Sequence, residues 1–318
     1  MRKSESDKPR GTKRFPARYL LYITAVVALV LVIVIVTYSG GKVLPSWDDI
    51  FHTADVGPED VSAHSDPDTL TAYFIDVGEG DCTLFVSGGQ SLLIDSGEKE
   101  YAGRVVTTIQ DLGVKRLDYV MVTHAHSDHM GGMSAIMKKF EVGKVILGHD
   151  PTRVLAPYYL GFLEGLNADD LEVEEVGPGA EFTFGNARCR ILAPIETSDN
   201  ENDNSLISTI SFGNMTYLMM GDAELAEEEA LMKAYPELRA TVIKLGHHGS
   251  NTSSSEAFLR RVDPQVAIIS CGDPKNGHPS AETMQTLKSM DVPYYSTYAC
   301  GTITLISGEN SYVVKQEH

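Results

Sequence analysis

The sequence predicts an α/β fold of two mixed β-sheets with helices on their outer faces, preceded by one N-terminal transmembrane helix. Three observations lead to this prediction. Short apolar runs alternate with segments of helical periodicity from residue 71 to the C-terminus. An apolar run without any charge, residues 19–38, precedes them. Side chains that suit metal binding follow directly after three of the predicted strands.

The N-terminal region is predicted to anchor the chain in the cytoplasmic membrane by a single pass. Residues 1–18 carry seven basic and two acidic side chains and form a basic cytoplasmic tail. Residues 19–38 can cross a bilayer as a helix, and no small-residue cleavage pattern follows them. The positive-inside rule keeps the N-terminus inside. Residues 39–70 are predicted to be a linker to an extracytoplasmic domain, 71–318.

The domain is predicted from its period of apolar residues. Strands are expected where short apolar runs are broken by Gly or polar clusters, at 71–77, 83–87, 91–95, 117–123, 144–148, 172–176, 181–184, 187–193, 205–212, 216–221, 241–246 and 265–270. Helices are expected where the spacing is helical, at 101–112, 132–140, 151–166, 223–234, 254–261 and 281–289. Short strands end the chain, and 196–204 is a polar loop.

Composition limits the function classes. The apolar fraction of 42% is enough for a large core, and the net charge is −18 despite the basic tail. An acidic domain lacks the Lys and Arg that a broad nucleic-acid surface requires, although a nucleic-acid end can still enter a metal-lined cleft. The four cysteines show no zinc-finger spacing and suit small buried hydrophobic positions. Cys271 and Cys300 are the pair to test for a disulfide.

The segment THAHSDHMGG carries the strongest chemical signal. A predicted strand ends at Thr123, and four potential ligands follow within six residues: His124, His126, Asp128 and His129. Imidazole and carboxylate together suit zinc, iron or manganese. Two histidines that are two residues apart in an extended segment point the same way and can share one metal. This density of ligands predicts a metal site.

Two further strands deliver ligands in the same way. Asp222 follows one strand and could instead cap the next helix. His247 and His248 follow another strand, and Gly249 permits a sharp turn after them. Because sites commonly lie at the carboxyl edge of strands in α/β proteins, these side chains are expected to meet those of the first motif.

These motifs resemble the metallo-β-lactamase superfamily and, within it, the ComEC-type domain. THAHSDH is similar to the HxHxDH signature, and FIDVGEGDCTLF, LLIDSG, NDNSLIS, MMGDAE, KLGHHGSNTS, NGHPS and TYACGTITL follow the ComEC-type pattern in order. The resemblance covers roughly residues 71–306. It implies a four-layer αββα sandwich. ComEC proteins carry this domain beside a membrane channel, so their role in DNA uptake does not transfer to a chain with one anchor.

The resemblance also implies two divalent metal ions, zinc or manganese. His124 and His126 would hold the first, Asp128, His129 and His247 the second, and Asp222 would bridge. The superfamily usually adds a third His to the first metal, but Asn202, Asp203, Asn204 and Ser205 stand at that place in this sequence. Two such ions would lower the pKa of a shared water and supply hydroxide near neutral pH, with Asp128 also orienting that water.

Other residues are predicted to support the reaction. His248 and His278 are candidates for the proton donor to the leaving group, or for supports of a ligand. Residues that could support ligands or contact substrate are Asp76, Asp81, Asp95, Asn204, Ser205, Ser250 and Lys275. Asp76 and Asp81 could instead be turn residues, and Ser250 could belong to a helix cap.

Three functions remain open from the sequence. The leading one is hydrolysis of a phosphodiester, with a nucleotide or nucleic acid as possible substrate. The second is hydrolysis of a carbonyl ester, thioester, lactone or lactam by the same metal-activated water. The third is a metal- or ligand-binding ectodomain without turnover. The membrane is the only other partner that the sequence predicts, and no protein partner can be inferred.

Overall fold

The structure, a computed structural model, describes residues 68–149, 157–168 and 171–318. The predicted cytoplasmic tail and transmembrane helix lie outside the described residues, as does nearly all of the predicted linker. Within the described ranges, no helix combines the length and apolarity that crossing a bilayer requires.

Strands and helices alternate along the described chain as the sequence predicts. The strands are β1 (Leu70–Phe74), β2 (Thr83–Ser87), β3 (Gln90–Ile94), β4 (Arg116–Val122), β5 (Glu141–Gly148), β6 (Glu172–Val176), β7 (Glu181–Phe184), β8 (Ala187–Ala193), β9 (Ile207–Phe212), β10 (Met215–Met219), β11 (Val242–Lys244), β12 (Val266–Ile269), β13 (Tyr294–Ser296), β14 (Ile303–Ser307) and β15 (Tyr312–Gln316). The α-helices are α1 (Ala102–Asp111), α2 (Ser127–Met130), α3 (Met133–Met137), α4 (Pro157–Ala168), α5 (Leu225–Ala234), α6 (Glu256–Val262), α7 (Ala281–Ser289) and α8 (Thr297–Cys300).

The strands form two mixed sheets. The first has the order β15-β14-β1-β2-β3-β4-β5-β6, and the second the order β13-β12-β11-β10-β9-β8-β7. In the first sheet β3 to β6 are parallel, and in the second β10 to β13 are parallel. The remaining neighbours in both sheets pair in antiparallel fashion. The carboxyl ends of parallel neighbours meet at the same edge of their sheet, which is where side chains for a site can be gathered.

Three apolar layers separate the four structural layers. Alternate side chains of each strand point to opposite faces of its sheet. Phe85 and Tyr217 meet edge to face between the sheets, with ring centroids 5.4 Å apart. Outside the first sheet, α1, α3 and α4 bury their apolar faces, and outside the second, α5, α6 and α7 do so. The αββα sandwich that the resemblance implies is therefore confirmed.

Local differences from the predicted elements have local causes. The helix predicted at 132–140 is the shorter α3, and the predicted C-terminal strands are interrupted by α8. The hydroxyl of Ser296 accepts a hydrogen bond from the Ala299 N–H and so caps α8. All four cysteines are buried free thiols, and the Cys271–Cys300 disulfide is not formed. Burial raises the pKa of the Cys189 thiol to about 12, which fits an inert apolar position.

Candidate metal centre

Loops that follow β1, β3, β4, β10, β11 and β12 meet at the carboxyl edge of the parallel strands. The loop after β10 turns at Gly221, whose φ is +54° and whose hydrogen would, as a Cβ, lie 2.8 Å from the Cβ of Ser205. Only glycine suits this turn, which leads directly into Asp222. The loop after β1 contacts the THAHSDH segment, because the Asp81 N–H donates to the Asp128 carbonyl at 3.1 Å.

Four ligand atoms from three of these loops converge. One oxygen or nitrogen from each of Asp128, His129, Asp222 and His248 lies within 4.8 Å of all the others. His129 Nε2 is 3.2 Å from one oxygen of Asp222, and His248 Nε2 is 3.3 Å from the other. His248 Nε2 is also 3.1 Å from Asp128 Oδ2. Three of the four are buried, and two imidazoles with two carboxylates suit a divalent transition metal.

The opposite nitrogens of both histidines are held by acceptors. His129 Nδ1 lies 2.9 Å from Asp95 Oδ2, and Asp95 also accepts from the Thr123 N–H at 2.8 Å and hydroxyl at 2.7 Å. His248 Nδ1 lies 3.0 Å from the Ser270 carbonyl. Because a carbonyl and an ionised carboxylate can only accept, each Nδ1 carries a proton. Each Nε2 is therefore the nitrogen that remains for a metal.

Buried polar atoms in the cluster lack partners of their own. Among the described residues, His129 Nε2 and Asp222 Oδ1 have no partner in hydrogen-bonding geometry, although they lie 3.2 Å from each other. Such atoms are costly to bury, so they require a compensating charge. A divalent cation at this place satisfies both, and the donor set therefore fits a metal ion.

His124 and His126 lie beside this cluster. His124 Nε2 and His126 Nδ1 are 3.0 Å apart, so two nitrogens face each other. His124 Nδ1 is 3.1 Å from the Thr123 hydroxyl and 3.3 Å from the Ser205 hydroxyl. Within the described residues, neither histidine joins any group of three close ligand atoms. The structure thus brings the predicted first pair together but gives it no third donor from His, Cys, Asp or Glu.

The two adjacent histidines after β11 take different places. Both have backbone angles in the left-handed region, with φ of 46° at His247 and 52° at His248. This conformation is costly for residues other than glycine and is found at functional sites. It turns His248, rather than His247, into the cluster. His247 Nδ1 instead lies 3.0 Å from Glu224 Oε1 and 3.1 Å from the Thr252 hydroxyl.

His278 lies at the mouth of the cluster. Its ring centroid is 5.2 Å from that of His247 and 6.0 Å from that of His248. His278 Nδ1 is 2.9 Å from Glu79 Oε1, which orients the ring. The side chain is 27% exposed, so its other nitrogen can meet a substrate.

A buried lysine beneath the cluster was not anticipated from the sequence. Lys244 Nζ donates to Asp81 Oδ2 and, at 3.0 Å, to the Gly221 carbonyl. It is 3.9 Å from Asp222 Oδ1. A charged residue within the apolar run TVIKLG was the signal that could have identified it. Asp81, predicted as a support or a turn residue, is thus the buried counter-charge of this lysine.

Other predicted supports lie in and around the site. Ser205 accepts from the Asp222 N–H at 3.0 Å and so touches a ligand directly. Asp76 accepts from the Gly78 N–H within its own turn. It also forms an ion pair with Arg104 of α1. Asn204 bonds to the backbone of Ser198. The Ser250 hydroxyl accepts from the Thr252 N–H, and the Ser250 carbonyl accepts from the Thr283 hydroxyl of α7 at 3.0 Å. Lys275 is 88% exposed beside Asp273.

The charges in the cluster favour metal binding. Burial alone would raise the pKa of Asp222, but His129 and His248 hold it well below its ordinary value. Burial lowers the pKa of His124 well below the usual range, so its ring is neutral, as a metal ligand must be. Burial also disfavours charge on His129 and His248, yet the carboxylates around them raise both pKa values. In the metal-free protein, protons on these two rings therefore supply the positive charge that a bound metal ion would otherwise supply.

Comparison with known proteins identifies the class of this domain. Residues 75–188 match the model of the metallo-beta-lactamase superfamily. The diiron β-hydroxylase CmlA of Streptomyces venezuelae aligns with a TM-score of 0.54 and 16% identity, covering 76% of this chain and 54% of CmlA. The metallo-β-lactamase fold protein YhfI of Bacillus subtilis aligns with a TM-score of 0.51 and 13% identity, covering 76% of this chain and 100% of YhfI. These two likenesses show the fold.

Curated relatives indicate which kind of metallo-β-lactamase domain the chain resembles. The chain is 29% identical to ComE operon protein 3 of Bacillus subtilis (strain 168) over 253 residues, which cover 72% of this chain and 32% of that protein. It is 32% identical to competence protein ComA of Neisseria gonorrhoeae over 200 residues, covering 62% of this chain and 26% of ComA. The alignments thus span about a third or less of these relatives. Residues 75–188 therefore match a metallo-β-lactamase superfamily domain, and the chain is similar to relatives of the ComEC-like kind over that domain.

Proposed function

We propose that this protein is a dinuclear metal-dependent phosphodiesterase that acts on nucleic-acid ends or nucleotides. The observation that supports a metal-dependent reaction most directly is the convergence of Asp128, His129, Asp222 and His248, with the far nitrogen of each histidine already bonded. Such pre-oriented ligands are typical of metal sites, where an outer acceptor fixes each ring.

The ligand assignment follows the geometry. Asp128, His129 and His248 would hold the second metal ion, so His248 takes the place that the family resemblance implies for His247. His124 and His126 would hold the first ion. Asp222, whose two oxygens contact His129 and His248 of the second position, would bridge to the first ion as the family resemblance implies. A set with two carboxylates and four imidazoles accepts zinc or manganese. When bound, two such ions lower the pKa of water and neutralise charge on a phosphoryl group.

Residues at the mouth bind and protonate the substrate. His278, held through Nδ1 by Glu79, presents its remaining nitrogen as a proton donor to the leaving oxygen. His247, held by Glu224 and Thr252, lines the same opening. Both rings are fixed by a carboxylate, which gives each a defined direction toward an incoming group.

A phosphodiester is the substrate class that we favour. Relatives of the ComEC-like kind carry names that refer to competence, which supports a nucleic-acid context. The net charge of −18 opposes a broad nucleic-acid surface and therefore favours a strand end or a small nucleotide.

Hydrolysis assays with the purified protein test this proposal. Bis(p-nitrophenyl) phosphate and a short single-stranded oligonucleotide, each with Mn²⁺ or Zn²⁺, are compared with p-nitrophenyl acetate and a chromogenic lactam. We expect turnover of the phosphodiesters alone, lost in Asp222→Asn. Turnover of the ester or lactam alone would instead favour a carbonyl hydrolase. Two bound metals without any turnover would favour a binding ectodomain.

We further propose that residues 19–38 anchor this domain, 71–318, to the outer side of the cytoplasmic membrane. The uncharged apolar run and the basic residues before it support this topology. Protease digestion of intact spheroplasts checks it: the domain should be degraded from outside, whereas protection until the membrane is permeabilised would contradict the orientation.

A further inference from the structure

The first metal position has a supporting residue that the sequence motifs do not contain. Glu201 belongs to a short 3₁₀ turn, Glu201–Asn204, in the polar loop between β8 and β9. Its Oε2 lies 2.7 Å from His126 Nε2. This is a contact between residues 75 positions apart in sequence, so the loop must fold over the metal-binding motif to form it.

The contact is on the far side of the His126 ring from His124. His126 Nδ1 faces His124 Nε2 at 3.0 Å, and His126 Nε2 faces Glu201. One nitrogen of the ring therefore points into the first metal position, and the other points away from it to a carboxylate. A metal ion between His124 and His126 cannot also be reached through His126 Nε2, so Glu201 does not share that ion by this contact.

We infer that Glu201 is the positioning residue of the first metal: its carboxylate takes the Nε2–H of His126 and leaves Nδ1, beside His124 Nε2, to bind the ion. An ionised carboxylate only accepts hydrogen bonds, so it selects the tautomer of His126 in which Nε2 carries the proton. The same arrangement of carboxylate, histidine and metal orients the ring and raises its basicity in other metal sites.

This support matters more at the first position than at the second. The second has four converging donors, whereas the first has two facing histidines and depends for a third donor on the proposed bridge by Asp222. With few ligands, the orientation of each contributes a larger share of the affinity. The side chain of Glu201 is 43% exposed, so it lies at the edge of the site.

The loop itself is tied to the site by hydrogen bonds. Asn200 accepts from the Asn202 N–H, and its amide donates to Asp203 and Glu224. The Glu224 N–H in turn donates to Asp203 Oδ1 at 2.9 Å. Because Glu224 follows Asp222 by two residues, the Glu201 turn is fixed to the segment that carries the bridging ligand.

Metal titration of the purified full-length protein tests the inference, which rests on the proposed dinuclear site but not on turnover. Zn²⁺ is titrated against a chromophoric chelator, so that two affinities are resolved. We expect Glu201→Ala to weaken the first affinity about 10–100-fold and to leave the second unchanged. Glu201→Gln, whose amide oxygen still accepts from Nε2–H, should recover most of the loss. Glu196→Ala, an exposed residue of the same loop, is the matched control.

A second measurement separates orientation from direct ligation. In metal-free protein, ¹⁵N NMR of the histidine side chains should show His126 protonated at Nε2, and this tautomer should lose its preference in Glu201→Ala but not in Glu201→Gln. Unchanged zinc affinities in Glu201→Ala would overturn the inference. So would an equal loss in Glu201→Gln and Glu201→Ala, which would make Glu201 a ligand. Correct zinc affinities without phosphodiester hydrolysis would instead reject only the proposed substrate.

Discussion

At the scale of single residues, the site depends on which ring nitrogen each histidine turns inward. His129 and His248 offer Nε2 because Asp95 and the Ser270 carbonyl occupy their Nδ1 atoms. The HxHxDH spacing predicts that His129 binds metal, and the strand followed by two histidines predicts a ligand after β11, but neither pattern predicts which ring nitrogen binds. That choice is made by acceptors from other loops, which a linear pattern does not contain.

The adjacent His247 and His248 allow a direct comparison. We expect His248→Ala to lose the second metal, with a drop in affinity greater than the roughly 10–100-fold that removal of a supporting partner costs. His247→Ala should keep both metals, because its ring contacts Glu224 and Thr252 outside the four-donor group. Metal per chain after gel filtration, measured by plasma mass spectrometry, checks both. Loss of metal in His247→Ala with retention in His248→Ala would reverse the assignment.

The choice between these two histidines shows the limit of prediction from the sequence. A strand followed by His-His predicts a ligand at its end, and the structure has one. The chain enters the left-handed region at both positions, which shifts the inward side chain by one residue. Extended geometry cannot anticipate that shift, since a non-glycine residue rarely adopts positive φ.

At the scale of elements, α5 carries two buried acids beside the site. Glu228 accepts from the Ser255 N–H at 3.0 Å and from the Ser254 N–H, at the start of α6. These bonds join α5 to α6 and thereby to the loop that contains His248. Burial raises the pKa of Glu228 from 4.5 to about 7, although those hydrogen bonds oppose the shift.

The raised pKa of Glu228 predicts a pH-dependent stability. A carboxyl whose pKa is higher in the folded state contributes stability that is complete below about pH 4.5 and is lost as the pH rises through about 7. The melting temperature should therefore fall between about pH 4.5 and pH 7 by more in the wild type than in Glu228→Gln. The exposed neighbour Glu229→Gln is the matched control and should behave as the wild type. Equal falls in all three proteins would contradict the assignment.

The elements were largely predictable, and the loops were not. Apolar periodicity located nearly every strand, and the predicted bounds of α7 are those observed. Both follow because the regular alternation of buried and exposed positions appears in the sequence as a periodic pattern of apolar residues. The role of Glu201 has no such pattern in the sequence, since its position depends on how a polar loop folds over His126. Lys244 is visible in the sequence as a charged residue inside a buried strand, but its role is explained only by the contact with Asp81 in the structure.

At the scale of the whole molecule, two sheets place their ligands at a common edge. The first sheet supplies the HxHxDH loop after β4, and the second supplies Asp222 and His248 after β10 and β11. A metal bound by residues of both sheets also stabilises their packing, because a ligand that binds only the folded state favours it.

Metal binding should release protons at neutral pH. The pKa values of His129 and His248 are raised by the carboxylates around them, against the effect of burial, so both rings hold protons in the metal-free protein above their ordinary range. A metal ion must displace these protons, and its apparent affinity should fall as the pH falls. Calorimetry at pH 7 in two buffers of different ionisation enthalpy measures the released protons. Identical heats in both buffers would contradict this prediction.

The most direct test of a dinuclear centre is the number of metal ions per chain. The purified protein, supplied with both manganese and zinc, is measured by plasma mass spectrometry beside Asp222→Asn, which removes one anionic oxygen from the proposed bridging ligand. The proposed dinuclear site predicts two ions per chain in the wild type and fewer in the variant. One ion or none in the wild type, or two in both proteins, would contradict the bridged two-metal site.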